Sequence, residues 1–441
     1  MRSIRSIEWR YDLVIFLFWL AAALPMALFV LLAQARGMSL SQIGLLVAAY
    51  SLTIVLLEVP TGGLADALGR KRVALIAEAA TLAGSLVFLF SFSLPMFLLS
   101  FVFNGIGRAL SSGALDAWFV DTLLEVDANV DLHPRLARAG AITLLALGGG
   151  TVAGGVLARV FLFLPPDGAA VLTPLAVPVV AAMILRVLLM GSISCLIRET
   201  VGAPHSPGQW PREIAEVPRL LRSAVELTVR NAVLVRLLLV ASASGLVVSG
   251  LEVLWQPHFA DLLGSHESRT LLLGSVLAGC FLVGGIGNLF APRLSRWLGG
   301  RNGRVCAVFH ALRGVILIMV AAQARFAPAA AFLWLVYLGQ GVVNSTHAVL
   351  LHHEIPPRRR SAMLSIESLA AYLGGFLGSA GLGLLADRTS TGFAWGIAGG
   401  VLLVSWVLYL RVDAIREERR REQESVPGQA VQAADAVRPG G

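Results

Sequence analysis

Twelve long, mostly apolar stretches divide this chain, at 13–34, 41–64, 73–92, 95–119, 139–160, 171–197, 233–256, 271–290, 304–323, 328–351, 362–385 and 392–410. A helix of roughly 20 such residues covers the hydrocarbon core of a bilayer. Lipid offers no partner to a free backbone N–H or C=O, so only helices and closed barrels cross it. Barrel strands alternate in polarity over about ten residues, and these stretches are continuously apolar instead. Charged residues make up 14% of the 441 positions, against about 25% in a soluble domain. The mean hydropathy is +0.77. The chain reads as an all-α polytopic membrane protein with twelve transmembrane helices.

The first stretch follows Arg2, Arg5 and Arg10, a start that can mimic a secretory signal. Its apolar part is too long for that and ends without a small-residue cleavage site, so it reads as a retained first span. The net charge of +8 follows topology. Drawing twelve spans puts Arg70, Lys71 and Arg72, Arg135 and Arg138, the central loop arginines, Arg293 to Arg304 and Arg358 to Arg360 on one face with the N-terminal arginines. The opposite loops hold scattered charges such as Arg36, Asp167 and Arg325. The positive-inside rule then places both termini in the cytoplasm of a cell that carries the protein in its plasma or inner membrane. No nucleic-acid surface is implied. Cys195, Cys280 and Cys306 are widely separated and read as packing residues, with no disulfide framework and no metal set.

Residues 198–232 are richer in charge and proline than the spans on either side, and read as a cytoplasmic linker. They separate an N-terminal six-helix half (1–197) from a C-terminal one (233–410), followed by a polar cytoplasmic tail (411–441). The tail starts as a charged helix and ends in a small, polar, partly disordered segment. Leu68-Gly69 before Val73 has a weak echo in Leu298-Gly299 before Val305, with Asp66 matched by Arg296. Spans 5 and 11 are glycine-rich, at Gly148 to Gly150, Gly154 and Gly155, and at Gly374, Gly375, Gly378, Gly381 and Gly383. Small residues at such intervals let helices pack backbone to backbone.

Between spans 2 and 3 runs Gly62-Gly63-Leu64-Ala65-Asp66-Ala67-Leu68-Gly69-Arg70-Lys71-Arg72. Glu58-Val59-Pro60-Thr61 leads into it, Ser111 to Trp118 with Asp121 closes span 4, and Ile355 to Ala362 turns from span 10 to span 11. The G-x-L-x-D-x-x-G-R-K pattern resembles the signature loop of the Major Facilitator Superfamily of secondary transporters. The other segments, and more loosely Gly37 to Leu45, resemble bacterial drug–proton antiporter-like members. Two features depart from the antiporter pattern: span 5 has no proline, and Arg108 is followed four residues on by Ser112, with Gly113 next.

The resemblance implies two pseudo-symmetric six-helix bundles that alternate access to a central cavity. It makes Gly62, Leu64, Asp66, Gly69, Arg70 and Lys71 a gating loop. Asp66 would meet the start of span 11, where partial positive charge favours an anion, and Arg70 would pair with Asp121 when the cytoplasmic side is shut. Spans 5 and 11 would line the changing contact between halves, and spans 7 and 10 the cavity.

Ionisable residues inside spans are costly and mark pathways or pairs. Glu58 is either a proton-coupling acid or a structural acid at the gate, and Asp116 has the same two readings. Two acids at one depth would hinder each other's ionisation if close. Arg108 is placed to hold an anion or control a neighbouring acid's proton, with a structural pair as the plain alternative. Asp121, five residues from Asp116, points to another face. Arg186 reads as a side chain that snorkels to the interface. Glu252, Trp255, Gln340, Asn344 and His347 are candidates for the cavity wall, though they can equally satisfy one another, as can Glu367. His352-His353-Glu354 lacks a third ligand at metal spacing. With no phosphate loop and no nucleophile–base set, no cofactor and no enzymatic activity are expected.

The expectation is a monomeric transporter of a small molecule, proton-coupled and exporting hydrophobic or amphipathic compounds. A proton-coupled uptake permease and a non-transporting membrane receptor are the alternatives.

Overall fold

The computed structural model describes residues 3–61, 68–111, 113–166, 168–198, 231–264, 268–355 and 360–425, with positions 222, 225, 226, 228 and 229. Among them, α1 (Ile4–Ala23) and α2 (Phe29–Ala35) form the first crossing, α3 (Leu40–Thr61) the second and α4 (Arg70–Leu89) the third. The fourth is α5 (Leu94–Ser111) with α6 (Ala114–Val126), the fifth α7 (His133–Val160) and the sixth α8 (Val177–Leu196). The second half holds α9 (Ala232–Leu263), α10 (Arg269–Trp297), α11 (Asn302–Ala321), α12 (Phe326–Glu354), α13 (Arg360–Arg388) and α14 (Thr391–Ser425). Eleven of these segments, counting α5 with α6 as one, are long and apolar enough to cross a bilayer. The twelfth crossing is the broken pair α1–α2.

Both broken crossings have a local cause. Pro25 lacks an N–H and cannot sit inside an unbroken helix without losing a hydrogen bond, and the chain turns through 24–28 before α2 begins. The backbone groups so released are taken up by Gln256 of α9, which is fully buried. Its Oε1 accepts from Val30 N at 3.0 Å, and its Nε2 donates to Met26 O at 3.0 Å. Such side-chain rescue is what makes an interrupted helix tolerable in lipid. Span 4, expected as one helix, turns at Gly113, whose φ of +74° is left-handed and favours a residue with no Cβ.

In the N-terminal bundle α4 packs on α5, α5 on α3, and α1 on α7 and α8. In the C-terminal bundle α9 packs on α13, and α11 on α12 and α14. The bundles meet along α3–α13 and α7–α10, with α2 touching α9.

Arg186 does not snorkel. It is 8% exposed, and its Nη1 lies 2.8 Å from Oε2 of Glu78, itself 2% exposed, between α8 and α4. Burying a charge inside the bundle costs less when a counter-charge meets it there. Arg36, read as a scattered loop charge, is likewise buried. It donates to the carbonyls of Phe88 (2.9 Å), Ser91 (3.1 Å) and Val171 (3.1 Å), tying three connections of the first bundle together. Cys280 and Cys306 are buried, whereas Cys195 is exposed.

Candidate substrate pathway

At the end of the bundle away from Ile4, the two halves are joined by polar contacts. Asp387, in the last turn of α13, accepts from the backbone nitrogens of Leu40 (3.1 Å) and Ser41 (2.7 Å) in the first turn of α3. Those N–H groups have no partner inside the helix, and a carboxylate there also meets the positive end of the helix dipole. Thr270 of α10 donates from Oγ1 to Gly155 O of α7 at 3.0 Å. A Cβ on Gly155 would sit 2.4 Å from Thr270 O, so a side chain would push these helices apart.

Beneath this seal lies a cavity of about 410 Å³ shared by both halves. Its first-half wall includes Met26, Phe29, Tyr50, Phe88, Phe101 and Asn104, and its second-half wall Val248, Glu252, Trp255, Phe281 and Tyr337. Glu252 is the one charged side chain among the described residues lining it. Two further chambers are present, the second of which shares Val248 with it. One of about 450 Å³, in the first bundle, is lined by Tyr11, Trp19, Arg108 and Asp116. The other, of about 340 Å³, is lined by Ser244, Gln340, Asn344, His347, Glu367 and Tyr409.

The residues singled out in the sequence therefore fall into separate places. Glu252 and Trp255 share the central cavity, while Gln340, Asn344 and His347 face the C-terminal chamber with Glu367. Glu58 accepts from Ser368 Oγ at 2.9 Å, a bond from α13 to α3 across the halves. Arg108 lies beside Glu58, Tyr50 and Tyr372, with the Tyr372 hydroxyl in hydrogen-bonding reach. Asp116 lies beyond the Gly113 turn and accepts from the Tyr11 hydroxyl, whose ring stacks on Phe119 at 4.0 Å. The two acids thus have different partners. Arg70 Nη1 is 2.5 Å from Asp121 Oδ2, Lys71 Nζ donates to Ser194 O at 2.5 Å, and Gly69 (φ +91°) precedes α4. Gly62, Leu64 and Asp66 lie outside the described residues, as do Pro356 to Arg359 of the turn between spans 10 and 11 and most of the linker. Glu354 is held by Arg416 (2.8 Å) and Asn231 (3.1 Å). Among the described residues no group of His, Cys, Asp and Glu could hold a metal ion.

Sequence reasoning did not single out Tyr50, Asn104, Tyr337, Ser368 and Tyr372. Polar residues within apolar spans were the available signal, and Asn104 within span 4 carried it.

A sequence profile of the Major Facilitator Superfamily matches residues 12–379. The chain belongs to this superfamily. No curated protein matches it in sequence. Solved structures resemble it in fold. A point mutant of the nucleoside transporter NupG superposes with a TM-score of 0.75 at 12% identity, covering 92% of this chain and 99% of that one. The human organic anion transporter MFSD10 (TETRAN) gives 0.61 at 18% identity, covering 93% and 100%. A POT family transporter in complex with a thioalcohol-conjugated peptide gives 0.68 at 14% identity, covering 93% and 98%. At these identities the likeness is one of fold. As a superfamily member the chain is a multi-pass secondary transporter of a small-molecule substrate, a role that is not enzymatic.

Proposed function

We propose that this superfamily member is a proton-coupled exporter of hydrophobic or amphipathic small molecules, with those bearing a positive charge favoured. The observation that carries this reading is the central cavity, where aromatic and aliphatic side chains surround Glu252, the one carboxylate among the described residues lining it. Apolar walls with few placed polar groups suit a ligand that is largely hydrophobic. A carboxylate in such surroundings, with Trp255 and Tyr337 beside it, suits a cation through charge and through aromatic faces.

The cycle follows from which contacts hold each face. The Asp387 cap and the Gly155–Thr270 contact support a state closed at the face opposite the termini. With the termini cytoplasmic, as the arginine distribution argues, substrate enters this state from the cytoplasm. Asp66, in the loop after span 2, would form the reciprocal clasp on the start of span 11 when the cytoplasmic side shuts. Arg70 and Asp121, both of the first half, are already paired with the opposite face closed, and so would steady the loop in both states. Proton binding at Glu58 or Asp116, with Arg108 beside Glu58, would shift the balance between the two states, as any ligand with unequal affinity for them does. The halves would divide at the 198–232 linker, and the protein would act as a monomer in the bacterial inner membrane.

The test compares uptake of cationic and neutral amphiphiles by proteoliposomes. Selective loss of the cationic class in Glu252→Gln supports the reading. Equal loss of both classes, or of neither, rejects the assignment of Glu252.

A further inference from the structure

His347 is buried on α12, and each of its ring nitrogens faces an ionisable or polar partner on another helix. Nε2 lies 3.1 Å from Oε1 of Glu367 on α13. Nδ1 lies 2.7 Å from the hydroxyl of Tyr409 on α14, which is itself 1% exposed. A hydroxyl can either donate or accept. With His347 neutral, the Tyr409 O–H donates to Nδ1. With His347 protonated, Nδ1–H donates to the same oxygen and the positive ring faces the Glu367 carboxylate. Turning one hydroxyl therefore accommodates the gain or loss of a proton, with the Tyr409 O–H directed to His347 in one state and to the Cys306 sulfur behind it in the other. Histidine is the side chain whose charge changes most readily in the physiological range.

The surroundings supply access and counter-charges. The His347–Glu367 pair borders the chamber of about 340 Å³, where Gln340 donates to Asn344 at 2.5 Å. From α9 this chamber receives Ser244 and no charged side chain among the described residues. Behind Tyr409, α11 presents Cys306, His310 and Arg313. His310 Nε2 is 2.9 Å from Ser405 Oγ of α14, and Arg313 is 1% exposed. One carboxylate thus faces His347 from α13, and one buried guanidinium stands beyond Tyr409 on α11.

The position of Glu367 connects this pair to the contact between halves. The next residue, Ser368, donates to Glu58, and Tyr372, just over one turn further, lies beside Arg108. A change of charge on the pair acts on the same stretch of α13 that holds the first bundle. We infer that the His347–Glu367 pair is a proton-binding site of the carrier, separate from Glu58 and Asp116, loaded through the C-terminal chamber and transmitted along α13. As a coupling site it rests on the reading of the protein as proton-driven; as a proton site it does not.

The experiment has two arms. In the first, full-length protein labelled with 15N-histidine is titrated by NMR in nanodiscs without substrate over roughly pH 5 to 8, with the His347 signals identified by their loss in His347→Gln. The expected result is a His347 titration whose midpoint moves in Glu367→Gln. A His347 signal that stays constant over this range, or a midpoint indifferent to Glu367→Gln, overturns the proton site. In the second arm, proteoliposomes carry a compound transported by the wild type. Glu367→Gln is expected to lose accumulation driven by a pH gradient while retaining exchange at equilibrium, and Glu367→Asp to restore accumulation. Gradient-driven accumulation at the wild-type level in Glu367→Gln overturns the coupling role. Absence of any transported compound would count against the proposed function, and the titration would then decide the proton site by itself.

Discussion

The carboxylate of Asp387 caps α3 from the opposite half of the protein, with Oδ2 2.7 Å from the backbone nitrogen of Ser41. A charge at an exposed helix N-terminus contributes about 0.3–1 kcal/mol, and Asp387 is exposed. Asn at position 387 keeps an acceptor and loses the charge. Asp387→Asn is therefore expected to shift the balance toward opening of this face by roughly 0.3–1 kcal/mol, about a two- to fivefold change in population ratio. Distances between spin labels on the loops beside Leu40 and Arg388 report it. An unchanged distance distribution would mean that the cap does not hold the face.

Gly155 tests the same closure by shape. Its missing Cβ would lie 2.4 Å from Thr270 O and 2.9 Å from Thr270's neighbour Leu271 Cα. Backbone cannot give way as a flexible side chain can. Gly155→Leu is expected to hold α7 and α10 apart, trap the opposite state and stop transport while the protein still inserts. A Gly155→Leu protein that cycles at the wild-type rate would contradict the contact.

The Glu78–Arg186 pair makes a stability prediction. Removing one member of a buried pair leaves the other charge uncompensated, at a cost of about 3–5 kcal/mol. Arg186→Met and Glu78→Leu alone should each lower the thermal unfolding temperature in detergent markedly. The double replacement should recover most of the loss, because no lone charge remains. Additive losses in the double variant would show that the two residues act independently.

Asp66 is proposed as the counterpart of Asp387 on the other face. Asp66→Asn should abolish or sharply slow transport while leaving expression and insertion intact. Normal turnover by a well-expressed variant removes the loop from the gate.

The helices were legible because crossing a bilayer demands length and continuous apolarity, and both are local properties of the chain. The Pro25 break carries a visible signal, but its repair by Gln256 joins residues more than two hundred positions apart. The Gly113 turn hides inside a stretch, Leu94–Val126, whose mean hydropathy is that of one continuous span. Arg186 looked like an interfacial side chain because Glu78 meets it from another helix 108 positions away. Glu252 and Trp255, three residues apart on one helix, line one cavity. Their grouping with Gln340, Asn344 and His347 dissolved into two chambers, since the depth and rotation of one helix against another depend on packing that no single segment encodes.

The most direct test of a proton-coupled carrier is a pH-jump in proteoliposomes containing a pH dye, challenged with lipophilic cations, antibiotics, sugars and amino acids. The account predicts that a cationic amphiphile dissipates the gradient with wild-type protein and fails to do so with Glu252→Gln. Folded wild-type protein that moves no protons with any of these compounds would contradict it.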